Sequence, residues 1–347
     1  MSEFVSIAQA HWARYPRMEP QDFGKLAYQS EFGPGHMALS PDRVLAPILA
    51  EWEQAAPGPL PPEPIGSGLC RFPITKALST VMALPLLGRL FSITAANMEA
   101  GSMEGLLQKL DSLSALRIPG IEEWTAEYRR QGCPPVGHSA AFREAYRPHY
   151  RLLRQEMAGF FPALLEIEKL SRNREPAIVA IDGRCGSGKS SLAQLAEWSI
   201  PCQVVHMDDF YLPKDRRAPN WLEVPAGNMD LERFREEILH PAQTGALEDY
   251  HPFVCRTGRL EAPVELGCYP LTLVEGSYSL HPSLRRFYRK TIFLTCDART
   301  QHKRLQTRDA ASLPAFQTTW IPLEEQYFSQ CALPDAQDLV LDTSEFF

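Results

Sequence analysis

The chain has 347 residues, a length that predicts about two domains. Hydrophobic residues at 44% and charged residues at 22% exclude a disordered chain. A net charge of −7, divided as 15 basic against 18 acidic side chains in residues 1–168 and 20 against 24 in 169–347, argues against nucleic acid as a partner, because counterion release needs clustered Lys and Arg.

The opening MSEFVSIAQAHWARYPRME lacks the basic start and apolar core of a secretion signal. The most apolar stretch, Val81 to Phe91, is broken by Pro85, Gly88 and Arg89, so no membrane partner is expected. Eight cysteines without a C-x-x-C pair fit reduced thiols, and a cytoplasmic location follows. Apolar residues spaced by three and four predict helices over Pro41 to Gln54, Ser102 to Leu116 and Glu122 to Tyr128. Between the first two, AAPGPLPPEPIGSG (55–68) predicts a loop. A further helix is expected over Ala140 to Leu170, kinked or split at Pro148 and Pro162. The polar run 171–176 then marks a boundary, giving a mostly α-helical N-terminal domain over 1–170 and a second domain over 171–347. Within the first, KLAYQSEFGPGHM (25–37) and HSAAFREAYRPHYR (138–151) carry more polar and aromatic residues than a core needs. His138, Arg143, Tyr146, Arg147, His149, Tyr150 and Arg151, with His36, are candidates for an anion pocket. A solvated helix face is the competing reading. Ligand sensing or self-association into a homo-oligomer is the expected role, with a second enzymatic activity as the alternative.

From residue 177 the texture changes. AIVAI (177–181), CQVVHM (202–207), LTLVEG (271–276), TIFLTC (291–296) and DLVLD (338–342) are short apolar runs among helical segments, the pattern of a buried parallel sheet with helices on both faces. After the first run, Gly183-Arg184-Cys185-Gly186-Ser187-Gly188-Lys189-Ser190, followed by Ser191, matches G-x-x-x-x-G-K-[ST] between a strand and a helix. Such a loop turns backbone N–H groups toward phosphate; Lys189 is expected to reach the β- and γ-phosphates and Ser190 to ligate Mg²⁺.

The later strands supply candidates for the reaction. Asp208 follows CQVVHM at a strand's C-terminal end, where open α/β sheets bind ligands, and can act as base or hold the metal. Glu275 ends LTLVEG among apolar residues, a costly position for a carboxylate without a cation nearby. Arg304 and Arg308, four apart, share a helix face and can clamp a phosphoryl group in transit.

With GRCGSGKSS (183–191), MDDFY (207–211), Asn228-Met229-Asp230, Tyr250, VEGSYSLHP (274–282) and DARTQHKRLQTRD (297–309), the second half resembles the uridine kinase family of P-loop kinases. The resemblance implies an α/β P-loop kinase fold, ATP and Mg²⁺ as cofactors, and phosphoryl transfer to a hydroxyl of a small nucleoside-like acceptor. It also implies Asp208 as base, Ser190 and Glu275 with Asp208 around Mg²⁺, Asp230 on ribose hydroxyls, Tyr250 and Tyr211 at the acceptor, and Arg304 and Arg308 in the lid. His251-Pro-Phe-Val-Cys-Arg-Thr-Gly258 departs from the family's base-reading stretch, and Gln301 stands where the family is aligned with an arginine. Another alcohol or sugar phosphate as acceptor, and an ATP-binding regulator without catalysis, are the competing readings.

Overall fold

Serine caps and prolines delimit the first helices. A computed structural model describes residues 2–35, 41–99, 101–173 and 175–346, so His36 lies outside the described residues. The chain folds as two units, Met1–Gly159 and Phe160–Phe347. The first contains α1 (Glu3–Arg14), α2 (Pro20–Phe32), α3 (Pro41–Glu53), β1 (Glu63–Gly66), β2 (Leu69–Pro73), α4 (Ala83–Ala96), α5 (Met103–Ser112), α6 (Ile121–Arg130), α7 (Ala140–Tyr146) and β3 (Tyr150–Arg154). Ser2, Ser102 and Ser139 cap α1, α5 and α7 by accepting backbone N–H groups of the first turn. Phe23, Leu26, Ile65, Leu69 and Leu106 belong to its apolar core.

Two expectations for this half need correction. The proline-rich stretch 55–68 is not loop throughout: its end forms β1, joined to β2 by Ser67 and Gly68 at φ +54° and +68°, the two-residue turn that suits a hairpin's twist. Strand order β1-β2-β3 leaves β1 at an edge, where Pro64 is tolerated. The helix expected from Ala140 to Leu170 is three elements: α7, β3 and α8 (Gln155–Ser171). α7 ends at Tyr146, with Arg147 as its left-handed cap before Pro148, and β3 pairs antiparallel with β2 from Pro73↔Tyr150 to Leu69↔Arg154. Pro162, by contrast, stays inside α8. The dividing point between units falls within α8, whereas the polar run at 171–176 begins at the last residue of that helix.

The second unit is built on β4 (Ala177–Gly183), buried along its whole length. Past α9 (Lys189–Ser199) come β5 (Gln203–His206), α10 (Leu231–Phe234), α11 (His240–Thr244) and two small ladders, β6 (Asp249–Tyr250) with β9 (Val264–Glu265) and β7 (Phe253–Val254) with β8 (Arg259–Leu260). The chain continues through β10 (Leu271–Glu275), β11 (Lys290–Thr295), α12 (Ala298–Arg308), α13 (Leu313–Ala315), α14 (Ile321–Gln330) and β12 (Leu339–Asp342). The main sheet runs β12-β11-β4-β10-β5, all neighbours parallel. Ile178 and Ala180 join an apolar cluster with Phe234, Ile238, Leu239 and Ala242, whereas the alternate residues Val179 and Ile181 face the other way and are equally buried. Helix α9 lies against β4, β5 and β10. This is an α/β fold, helices flanking a parallel sheet, with a P-loop between β4 and α9. β5 and β10 lie on one side of β4 and β11 and β12 on the other, so the strand order switches at β4, where such sheets form a ligand crevice.

Candidate active site

Glycine lets β4 turn sharply into the P-loop. Gly183 sits at φ +139°, and a Cβ there would stand 1.9 Å from Leu294 O of β11. Each carbonyl from residue 183 to 187 accepts a side-chain hydrogen bond. Lys189 Nζ donates to Gly183 O at 2.8 Å and to Arg184 O at 3.1 Å. Gln301 Nε2 donates to Cys185 O at 3.0 Å, Arg304 Nη1 to Gly186 O at 3.1 Å, and Thr343 Oγ1 to Ser187 O at 2.9 Å. With the carbonyls engaged, and with Gly188 capping α9 at φ +94°, the N–H groups of that helix's first turn have no intrahelical partners. Helix N-termini of this kind hold phosphate. Ser187 Oγ, buried in the loop, makes no hydrogen bond among the described residues and offers a further polar contact.

Strand register brings the carboxylates to the same end. Glu275 pairs with Ile181 on one side and His206 on the other, so the P-loop, Glu275 and the turn carrying Asp208 leave adjacent strands together. Ser190 Oγ lies 3.3 and 3.4 Å from the two Glu275 oxygens, and His206 Nδ1 lies 2.6 Å from Glu275 Oε1. That contact raises the His206 pKa above 6.5 against the opposing effect of burial. Asp208 reaches solvent in the cleft, yet the protein around it strips enough water to raise its pKa; the nearby Glu275 adds to this, and Lys189 and the Tyr211 hydroxyl at 3.2 Å oppose it. Ser190, Glu275 and Asp208 are hard oxygen donors of the type Mg²⁺ takes, one or two at a time, alongside substrate phosphates.

The cleft, about 1050 Å³, is lined by these residues together with Tyr211, Tyr278, Lys303, Arg308 and Trp320, among others. The remaining predicted site residues are distributed unevenly. Arg304 and Arg308 both line the cleft, but Arg304 is bound to the P-loop and to Thr343, whereas Arg308 is exposed and lies over the Phe316 ring at 5.1 Å. Arg184 pairs with Glu325. Asp230 and Tyr250 are absent from the cleft lining. Asp230 caps α10, accepting from Arg233 N at 3.2 Å. Tyr250 is buried, stacked on Phe210, and donates to Asp209 Oδ2 at 2.6 Å.

Four further residues of the site carry little signal in sequence. Asp182, fully buried, accepts from Gly183 N, Leu280 N and Tyr327 Oη at 2.7, 2.9 and 2.8 Å; burial nonetheless pushes its pKa up to about 6. Glu324 of α14 accepts from Cys185 N and Ser277 Oγ, both at 3.0 Å. Gln301 and Thr343 support the loop as described. Asp182 could have been noticed as an acidic residue ending an apolar run, and Glu324 from WIPLEEQYF (320–328).

In the N-terminal unit, His138 is buried between Asp22 and Tyr150, Arg143 is exposed, and Arg151 pairs with Glu51 at 2.8 Å. Tyr146, Arg147, His149 and Tyr150 line a second cavity.

No family model and no curated protein matches the chain. Among solved structures it is similar to a possible uridine kinase from Bacillus stearothermophilus, at 19% identity over 51% of this chain and 97% of that one, TM-score 0.38. It is also similar to a candidate fructose transport system kinase from Silicibacter sp. TM1040, at 22% identity over 51% and 97%, TM-score 0.39.

Proposed function

We propose that the chain is an ATP- and Mg²⁺-dependent kinase that transfers the γ-phosphoryl group to a hydroxyl of a small nucleoside-like acceptor. The carrying observation is the P-loop whose carbonyls from 183 to 187 are all engaged by side chains, with a carboxylate of raised pKa across the same cleft. Backbone N–H groups at the start of α9 bind the nucleotide's phosphates, and Lys189 neutralises their charge. Ser190, Glu275 and Asp208 would hold Mg²⁺, which when bound with ATP offsets charge on the phosphates. Asp208 accepts the proton of the acceptor hydroxyl; Tyr211 orients it through its own contact with that carboxylate. Arg308, exposed at the cleft edge, suits a lid role better than Arg304, which already supports the loop. Since Asp230 and Tyr250 stand away from the cleft lining, the acceptor is read by Asp208, Tyr211 and Tyr278, a smaller set than the nucleoside contacts the family pattern implies.

The test is ADP release with Mg²⁺ across a panel of nucleosides, sugars, sugar phosphates and other small alcohols. Acceptor-dependent ADP release is expected with at least one class, and Lys189→Ala should lower it by roughly 10²–10³-fold in a folded protein. Full turnover by a folded Lys189→Ala protein removes the kinase assignment. Saturable ATP binding without transfer to any acceptor favours the regulator instead.

A further inference from the structure

Arg71, on β2 in the N-terminal unit, is 3% exposed. Its Nε and Nη2 both donate to Gln29 Oε1, at 3.1 and 2.8 Å, and its guanidinium lies 4.9 Å from the centre of the Tyr150 ring. Among the described residues no carboxylate forms an ion pair with it. A buried charge is costly unless an opposite charge or a full set of hydrogen bonds meets it, and one amide oxygen and a ring face supply only part of that. A hydrogen-bonded row keeps the guanidinium's partners in place: Asp22 Oδ1 to His138 Nδ1 at 2.9 Å, His138 Nε2 to Tyr150 Oη at 2.8 Å, and Gln29 Nε2 to Tyr150 Oη at 3.2 Å. Neighbouring cations feel the surplus positive charge. Burial first and Arg71 second lower the pKa of His11 and bring Lys25 down to about 8.

Arg71 lines a cavity of about 100 Å³ whose buried floor includes Ile74 and Phe142 and whose rim includes the exposed Leu60 and Pro61. Arg147 and His149 share the lining. Arg147 holds φ +43° directly before Pro148, a conformation disfavoured for an L residue and more so before proline, and such strain persists where the surroundings require it. The carboxylate in the lining, Glu63, is already met by Arg14 Nε at 2.9 Å and by the Tyr15 hydroxyl. His149 Nδ1 lies 3.9 Å from Glu51 Oε2, so the positive charge lining the space is that of Arg71 and Arg147.

We propose that this cavity binds the carboxylate or phosphate group of a small metabolite, with Arg71 as its main partner and Arg147 and His149 at its mouth. The full chain, with ADP and Mg²⁺ in excess to occupy the nucleotide cleft, is titrated calorimetrically with inorganic phosphate and, separately, with oxalate; the two arms distinguish the sources of the anion. Saturable binding of one equivalent of at least one anion is expected, weakened roughly tenfold or more in Arg71→Gln, the loss of a charged hydrogen bond, and roughly threefold in Arg147→Ala. Arg147 is exposed, so its variant reports on the site even where Arg71→Gln unfolds. Absence of saturable binding of both anions, or binding undiminished in Arg147→Ala, overturns the proposal.

Discussion

At Asp208, burial and the Glu275 carboxylate both favour the protonated acid, so the ionised base is lost at a higher pH than an ordinary aspartate near 3.8 would allow. Under the proposed role the sign is fixed: a base works ionised, and activity falls as pH drops through the raised pKa. A pH profile of kcat/KM should therefore show an acid limb above the usual carboxylate range, and Asp208→Asn should lower kcat by roughly a hundredfold or more and erase that limb. Asp209→Asn should cost less than about tenfold, because Asp209 serves as acceptor for the Tyr250 hydroxyl and an amide oxygen still accepts, though more weakly. Single-turnover transfer by the two variants checks both. The convergence of Asp208, Lys189, Ser190 and Glu275 on one cleft was legible in the sequence because strand ends and the P-loop pattern place them directly. The loop contacts of Gln301 and Thr343 were not, because they are made from 116 and 156 residues away; the sequence marked Gln301 only as a departure from the family's arginine.

Helix α14 works as a strap across the P-loop. Glu324 takes the Cys185 N–H, Glu325 takes Arg184, and Tyr327 reaches Asp182 beneath. Removing the Glu324 carboxylate leaves a buried loop N–H without its acceptor, so Glu324→Ala should cost about 1–3 kcal/mol in denaturant unfolding and raise the KM for ATP, while Glu324→Gln, which keeps an acceptor oxygen, should restore most of the loss. Equal unfolding midpoints for wild type and Glu324→Ala would remove the strap. Among elements, β4, β5, β10 and β11 were plain as continuous apolar runs, since the sheet is covered on both faces there, and the half-exposed edge strand β12 showed the same apolar texture. The strands of the N-terminal unit were hidden. β1 lies inside a proline-rich stretch at a sheet edge, and YRLLR of β3 reads as helix until its pairing with β2, some 80 residues earlier, is known.

For the whole molecule, the place where the second unit begins is a measurable quantity. Phe160 stacks edge-on with Phe346 at 5.4 Å, and Glu166 pairs with Lys290 at 2.8 Å, so α8 supplies contacts that a polar boundary at 171–176 does not suggest. A fragment starting at Gln155 should bind ATP and unfold cooperatively. One starting at Ser171 should be less stable by about 3–5 kcal/mol, the usual loss for a buried Phe. Thermal melts of the two fragments decide, and equal melting temperatures would place the boundary back at the polar run.

The position of β4 has a consequence for how the protein is made. Its two hydrogen-bonded neighbours, β10 and β11, both come later in the chain, and β5 pairs with β10 rather than with β4. At ribosomal speeds of about 5–20 residues per second, the roughly hundred residues in between occupy on the order of 5–20 s, during which a wholly apolar AIVAI has no partner strand. The nascent chain is then at its most vulnerable to aggregation and most open to chaperone capture. The nucleotide loop, encoded directly after that first strand, becomes one of the last features to take shape, since Gln301, Glu324 and Thr343 must be synthesised before its carbonyls and its Cys185 N–H find their partners.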